Sequence, residues 1–290
     1  MMAQGGRSGI GLMVLAMIVF GTQDAVSRHL AAQYGIVLIL TIRFWFFALF
    51  VLGLSARAEG GLRAVAATRR PILQILRGMA LVAQLVLLIQ GFVQIGLVET
   101  HAIFACYPLI VAVLAAAALG EVVPAARWLA IAAGAAGVLV ILQPGAEVFT
   151  PAALIVLGAA SIFAVYSILT RLVARDDRPQ TSFFYTGVVP GLLLSFAAPF
   201  VWRPLAYSDG GWMALLCVSG ALGHYLLIRA YQRTQANLLQ PFAYLQLVTA
   251  SACGVVVFGE ALSWTTLLGA AIVVLAGLSN LWIERRRSTA

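Results

Sequence analysis

Long apolar runs broken by short polar stretches set the pattern of this chain. From Gly220 to Asn280, three apolar segments are cut at Gln232–Asn237 and at Gly259–Ser263. Leu81 to Ile141 follows the same plan, with breaks near Gly96–Thr100 and Gly120–Pro124. Setting Gly120-Glu121 on Gly259-Glu260 aligns the two stretches at an offset of 139 residues, with few identities. Runs of about 18–22 residues suit bilayer-spanning helices, which need roughly 20. They are not the ~10-residue alternating segments of a membrane barrel. Ten spans are expected near 9–30, 36–56, 71–95, 98–119, 125–143, 151–173, 181–202, 211–232, 237–258 and 262–283. Pro71, Pro124 and Pro151 open spans, where a missing N–H costs nothing.

Composition agrees. The chain is 62% hydrophobic and 10% charged, which no ordinary soluble domain approaches. The net charge of +8 would point to nucleic acid in a soluble protein. Here every basic residue is arginine and most lie between the apolar runs, so topology explains the charge and no nucleic-acid partner is expected. With the N-terminus in the cytoplasm, inner loops and tails hold Arg7, Arg57, Arg63, Arg69, Arg70, Arg127, Arg171, Arg175, Arg178, Arg233 and Arg285 to Arg287. Outer segments hold Arg28 and Arg203, so both termini are expected to be cytoplasmic. The run behind Arg7 lacks a convincing cleavage site and reads as a retained first helix rather than a signal peptide. Cys106, Cys217 and Cys253 lie inside spans without metal-ligand spacing, and read as small core residues.

Five spans per half is an odd number, so a second copy must cross the membrane upside down. The expected fold is an all-α polytopic membrane protein of two inverted five-helix repeats, residues 1–145 and 146–290, around a central cavity. Inverted repeats characterise secondary transporters, with the substrate near the midplane.

Two half-closing patterns, Tyr107-Pro108 through Leu119-Gly120-Glu121 and Gln240-Pro241 through Phe258-Gly259-Glu260, carry a resemblance. Each precedes a Gly/Ala-rich helix, and Arg43 and Arg77-Gly78 fit the same picture. With the ten-span layout, the whole chain resembles the drug/metabolite transporter superfamily in its ten-helix EamA-type branch. The resemblance implies helices one to four and six to nine around a cavity, braced by helices five and ten. It also implies transport of small metabolites across a bacterial inner membrane. Amino-acid exporters, aromatic and other, look closest in size and layout, and S-adenosylmethionine carriers are also similar. One departure stands out. Pro108 lies 13 residues before its glutamate and Pro241 lies 19 before its own, so helices four and nine are expected to bend at different depths.

An ionisable side chain at mid-membrane costs about 2.5–3.5 kcal/mol on insertion scales, so each needs an account. Asp24 and Arg28 are four apart and can neutralise one another on one helix face. Alternatively Asp24, with Gln23, faces the cavity and binds a cation, a proton or an ammonium group. Arg43 either snorkels, partners Asp24, or binds a carboxylate. Arg77 and Gln84 share one stripe of helix three, the first snorkelling and the second facing the cavity or a neighbouring helix. Helix four offers His101, Phe104 and Tyr107; helix six offers Phe163 and Tyr166; helix nine offers Gln240 and Tyr244. His224 sits mid-span with Tyr225 beside it, either as a packing residue or as a coupling site titrating near neutral pH. Aromatic faces with scattered amides suit amphipathic organic ligands. Helices eight and nine are expected to dominate the site. Glu121 and Glu260 fall on opposite faces of the membrane and read as structural, each at a helix N-terminus.

The leading expectation is therefore a secondary carrier for small amphipathic metabolites, amino-acid export foremost and S-adenosylmethionine the alternative. It works as a monomer or weak homodimer in the bilayer, without metal or cofactor. An integral membrane lipid-modifying enzyme should cluster carboxylates, histidines or arginines on one side, and none is evident. A passive channel would need a continuous polar pore or an oligomer. The lysine-ending phosphate loop of an ATP-driven pump has no counterpart in a chain without lysine.

Overall fold

The computed structural model describes residues 2–119, 125–142, 150–234 and 236–288. The described residues form helices and connecting turns. In chain order these are α1 (Met2–Tyr34), α2 (Ile36–Ala56), α3 (Gly61–Ala66), α4 (Pro71–Phe104), α5 (Tyr107–Leu119) and α6 (Ala125–Leu142). The second part holds α7 (Pro151–Val173), α8 (Pro179–Ser195), α9 (Ala198–Val201), α10 (Gly210–Arg233), α11 (Ala236–Phe258) and α12 (Trp264–Ser288). Gly120, Glu121 and Pro124 lie outside the described residues.

Within the described residues, five segments, in α1, α2, α4, α7 and around α10, are long and apolar enough to cross a membrane, and shorter apolar helices accompany them. Large apolar side chains point outward, including Leu49, Phe50, Leu129, Val256 and Leu275. The polar side chains Gln23, Gln74, Gln84, His101 and Gln246 are buried instead. A bundle oily outside and polar within is built for lipid. This is a polytopic membrane protein.

Local chemistry sets the helix ends. Pro71, Pro151 and Pro179 open α4, α7 and α8 in their first turns, and Thr150 caps α7 by accepting from the Ala153 N–H. The expected span 98–119 is built in two pieces. Pro108 has no N–H to offer the preceding turn, so the chain breaks at Ala105–Cys106 and α5 restarts on the Cys106 carbonyl. By contrast α11 continues from Ala236 to Phe258 through position 241, so the two prolines act differently. The expected span 181–202 is α8, with Pro190 inside it, followed by the short α9.

The main helix contacts join one half of the chain to the other. α1 packs on α10 and α11, α4 on α7 and α8, α2 on α8 and α10, and α6 on α12. The α6–α12 contact is close enough that a Cβ on Gly137 would lie 2.9 Å from the Gly269 carbonyl oxygen.

One backbone feature fixes the upper part of α4. Gly96 has φ 84° and ψ 174°, a region essentially reserved for glycine, so the helix kinks there. The kink frees the N–H groups of Leu97 and Val98, and both donate to the Glu260 carboxylate, at 2.9 and 2.8 Å. Arg28 forms an ion pair with the same carboxylate. Glu260 is structural as expected, yet it caps the restarted turns of α4 rather than the helix that follows it. A Cβ on Gly96 would lie 2.7 Å from Glu260 Oε1. Gly96→Ala is therefore expected to destabilise the protein by about 1–3 kcal/mol, the usual cost of such strain. A lowered thermal-unfolding midpoint in detergent would register it.

Candidate functional site

Six helices converge on a small polar cavity. α1 brings Phe20, Gln23 and Asp24, α2 brings Arg43, and α4 brings Gln84, Leu85, Leu88 and Phe104. α7, α10 and α11 add Phe163, His224 and Gln246. Its free volume is about 20 Å³, against the 300–1,000 Å³ typical of ligand pockets, so the helices stand close together here.

Asp24, 4% exposed, is answered from two other helices. Gln246 Nε2 donates to its Oδ2 at 2.9 Å, and His101 Nε2 lies 2.9 Å from the same oxygen. His101 Nδ1 lies 3.0 Å from the Leu97 carbonyl, and Phe92 stacks on the ring at 5.1 Å. The expected Asp24–Arg28 pair is not formed, because Arg28 reaches Glu260 instead.

Arg43 is 1% exposed, and none of its three guanidinium nitrogens has a hydrogen-bond partner. It neither snorkels nor bonds to Asp24. Its nearest support is apolar: the Phe44 ring lies 5.4 Å away, and a Cβ on Gly220 would come within 2.5 Å of Nε. Gly220 thus leaves the space the guanidinium fills. Gln23 Oε1 and His224 Nε2 are also buried without partners. The cavity holds more polar capacity than its walls satisfy, which is expensive unless something else binds there.

The remaining candidates divide. Gln23, Gln84, Phe104, Phe163 and His224 line the cavity with Asp24 and Arg43. His101, Tyr107 and Tyr244 line a second, adjoining space of about 10 Å³, which Phe104 and Gln246 share. Tyr107 packs edge-on to Phe163 at 4.8 Å, and its hydroxyl faces Met17 Sδ. Tyr166 is buried one layer away, its hydroxyl 3.5 Å from His224 Nδ1 and its ring 5.7 Å from Arg77. Tyr225 faces elsewhere. It is 42% exposed and lines an outer apolar groove with Phe46, Phe50 and Leu54, because adjacent helical residues point about 100° apart. The side chain of Gln240 lies outside the described residues. Helices eight and nine do not dominate, since both cavity charges come from α1 and α2.

Gln246 and Phe20 were missed. The repeat offset carried the signal for Gln246, because position 246 is the partner of Tyr107. An amide in mid-span was a second sign.

Polar ties between the halves close both ends. At one end stand the Arg28–Glu260 pair and the Tyr34 hydroxyl donating to Asp209 at 2.6 Å. At the other, Asp177 accepts from Thr68, from the Arg69 N–H at 3.0 Å and from Gln74 Nε2 at 2.8 Å. Arg77, expected to snorkel, is 1% exposed there and donates to Gln74 and to the Ser182 carbonyl. No three metal-ligating side chains converge among the described residues.

An all-helical membrane bundle with an under-satisfied polar centre and ties at both ends has the make-up of a transporter. Residues 7–143 and 150–281 each match the EamA-like transporter family, and the chain belongs to that family. It is 26% identical over 278 residues to an S-adenosylmethionine uptake transporter of Rickettsia bellii, covering 96% of this chain and 94% of the relative. It is 29% identical over 286 residues to a riboflavin transporter of Rhizobium johnstonii, covering 95% and 91%. A solved crystal structure shares the fold at TM-score 0.67 and 17% identity, over 99% of both chains. Membership places the protein among transporters and not among the lipid-modifying enzymes.

Arg43 leaves a mark on stability. A buried guanidinium without a hydrogen-bond partner opposes folding even with Asp24 in the same cavity, so Arg43→Met is expected to raise the unfolding midpoint in detergent, relieving up to about 3 kcal/mol. An unchanged or lowered midpoint would mean the guanidinium is satisfied in the folded protein.

Proposed function

We propose that the protein is a secondary carrier, working by alternating access, for a metabolite that bears a carboxylate and a ring system, S-adenosylmethionine being the best-supported example. The carrying observation is Arg43, a buried guanidinium with no partner in a cavity lined by aromatic rings and amides. A guanidinium matches a carboxylate in two parallel hydrogen bonds, and the rings of Phe20, Phe104 and Phe163 offer apolar area to a planar group. Riboflavin has the ring without a carboxylate, and leaves Arg43 unanswered. Amino-acid export, foremost from sequence, is backed less well, because the similar proteins are named for S-adenosylmethionine and riboflavin.

Two inverted five-helix halves, 1–145 and 146–290, supply the moving parts in this reading. The two family matches support it, and so do the helix partners. Exchanging each helix for its counterpart five spans on turns α1–α10 into α7–α4, and α4–α8 into α10–α2, all of them observed contacts. The α2–α8 and α6–α12 contacts map onto themselves. Such a bundle can rock about its centre and break one set of end ties while keeping the other. The arginine distribution supports cytoplasmic termini in a bacterial inner membrane.

Proteoliposomes test the substrate. Labelled S-adenosylmethionine is expected to enter saturably above empty liposomes. Arg43→Gln should weaken its apparent affinity about 10–100-fold, the loss of a charge-assisted contact. Tyr225→Ala, on the outer groove, should leave affinity unchanged. Riboflavin flux indifferent to Arg43→Gln, with no S-adenosylmethionine flux, would overturn the assignment.

A second expectation concerns the ties. Asp177→Asn removes the charge that Thr68, Arg69 and Gln74 share. It should shift the population toward opening at that end, read as faster labelling of a cysteine placed beside Gln74. Labelling at the wild-type rate would show that Asp177 does not hold this end shut.

A further inference from the structure

We propose that Asp24 and His101 together form a proton-binding site at the centre of the helix bundle. The hydrogen-bond geometry is the starting point. The Leu97 carbonyl can only accept, so the Nδ1 beside it at 3.0 Å carries a hydrogen. A neutral ring then presents a bare Nε2 lone pair to Asp24 Oδ2 at 2.9 Å. Two acceptors at that distance repel unless a proton lies between them. The pair therefore holds one proton more than a neutral imidazole and an ionised carboxylate would. Gln246 Nε2 donates to the same Oδ2, which suits a carboxylate facing an imidazolium.

The surroundings agree. Phe92 lies nearly parallel to the imidazole, 9° between planes, and presents the electron-rich face that a cation prefers. The Glu260 cap fixes the Leu97 carbonyl by bonding the Leu97 and Val98 N–H groups. His101 borders a space of about 10 Å³ and Asp24 borders the 20 Å³ cavity, so the pair stands between two spaces, each near the size of one water.

Charged and titratable groups surround the pair from several helices. Arg43 on α2 and His224 on α10 share the cavity with Asp24. Tyr107 on α5 and Tyr244 on α11 face His101, Cys253 on α11 is within electrostatic reach of Asp24, and Arg28 is committed to Glu260. Among the ordinarily charged groups, Asp24 and Arg43 cancel. With the proton the centre carries one positive charge, and without it none. His224, the coupling candidate from sequence, lacks such an anion. Its Nδ1 faces the Tyr166 hydroxyl and its Nε2 has no partner.

Nitrogen NMR of histidine-labelled protein in nanodiscs, without substrate, reads the proton directly. His29, His101 and His224 are told apart by single His→Gln variants. The wild type should show both His101 ring nitrogens protonated at neutral pH, or one protonated with an infrared band of protonated Asp24. Asp24→Asn should leave a singly protonated ring. A bare His101 nitrogen beside an ionised Asp24 in the wild type overturns the proposal.

Discussion

A charge placed inside a bilayer must be answered by another polar group, and this molecule is arranged around that requirement. Asp24 is answered by His101 and Gln246, which ties α1 to α4 and α11 at mid-bundle. The contact sits in the first turns after the kink at Gly96, where the His101 ring reaches both the Leu97 carbonyl and Asp24. Glu260 holds that restart by accepting from two freed N–H groups, and Arg28 holds Glu260. A chain of polar contacts thus runs from one end of the bundle to its centre. A change at the end ties therefore bears on the geometry of the buried pair.

Much of the helix layout was legible because lipid enforces it. Each expected span meets a helix or a pair of helix pieces, since apolar runs of spanning length have few alternatives in a membrane. The Gly96 break was readable from its polar flank, although the positive φ was not. The site was harder. The arginine at 43 and the aspartate at 24 declared themselves as charges in apolar runs, but their partners did not. Local spacing put Asp24 with Arg28, and the fold instead pairs Asp24 with a residue 77 positions away and Arg28 with one 232 positions away. Helical periodicity ranks neighbours on one helix and is silent about which helix stands opposite. Tyr225 fell outside the cavity for a related reason, since its neighbour His224 had already taken the inward direction.

The two halves of the chain match the same family without sharing site chemistry. At the offset of 139, His101 aligns with Gln240 and Tyr107 with Gln246. Asp24, Arg43 and His101 come from the first half, while the second half supplies Phe163, His224 and Gln246. A rocking motion between the halves would then carry a charged wall past a neutral one. A polar substrate bound to Arg43 would stay with the first half through that motion, and the aromatic and amide groups opposite would change their contact with it. Symmetric scaffolds need equivalent helices to rock, but a substrate needs only one wall to hold it. If the halves rock as proposed above, divergence of their linings within a shared helix plan follows from that difference.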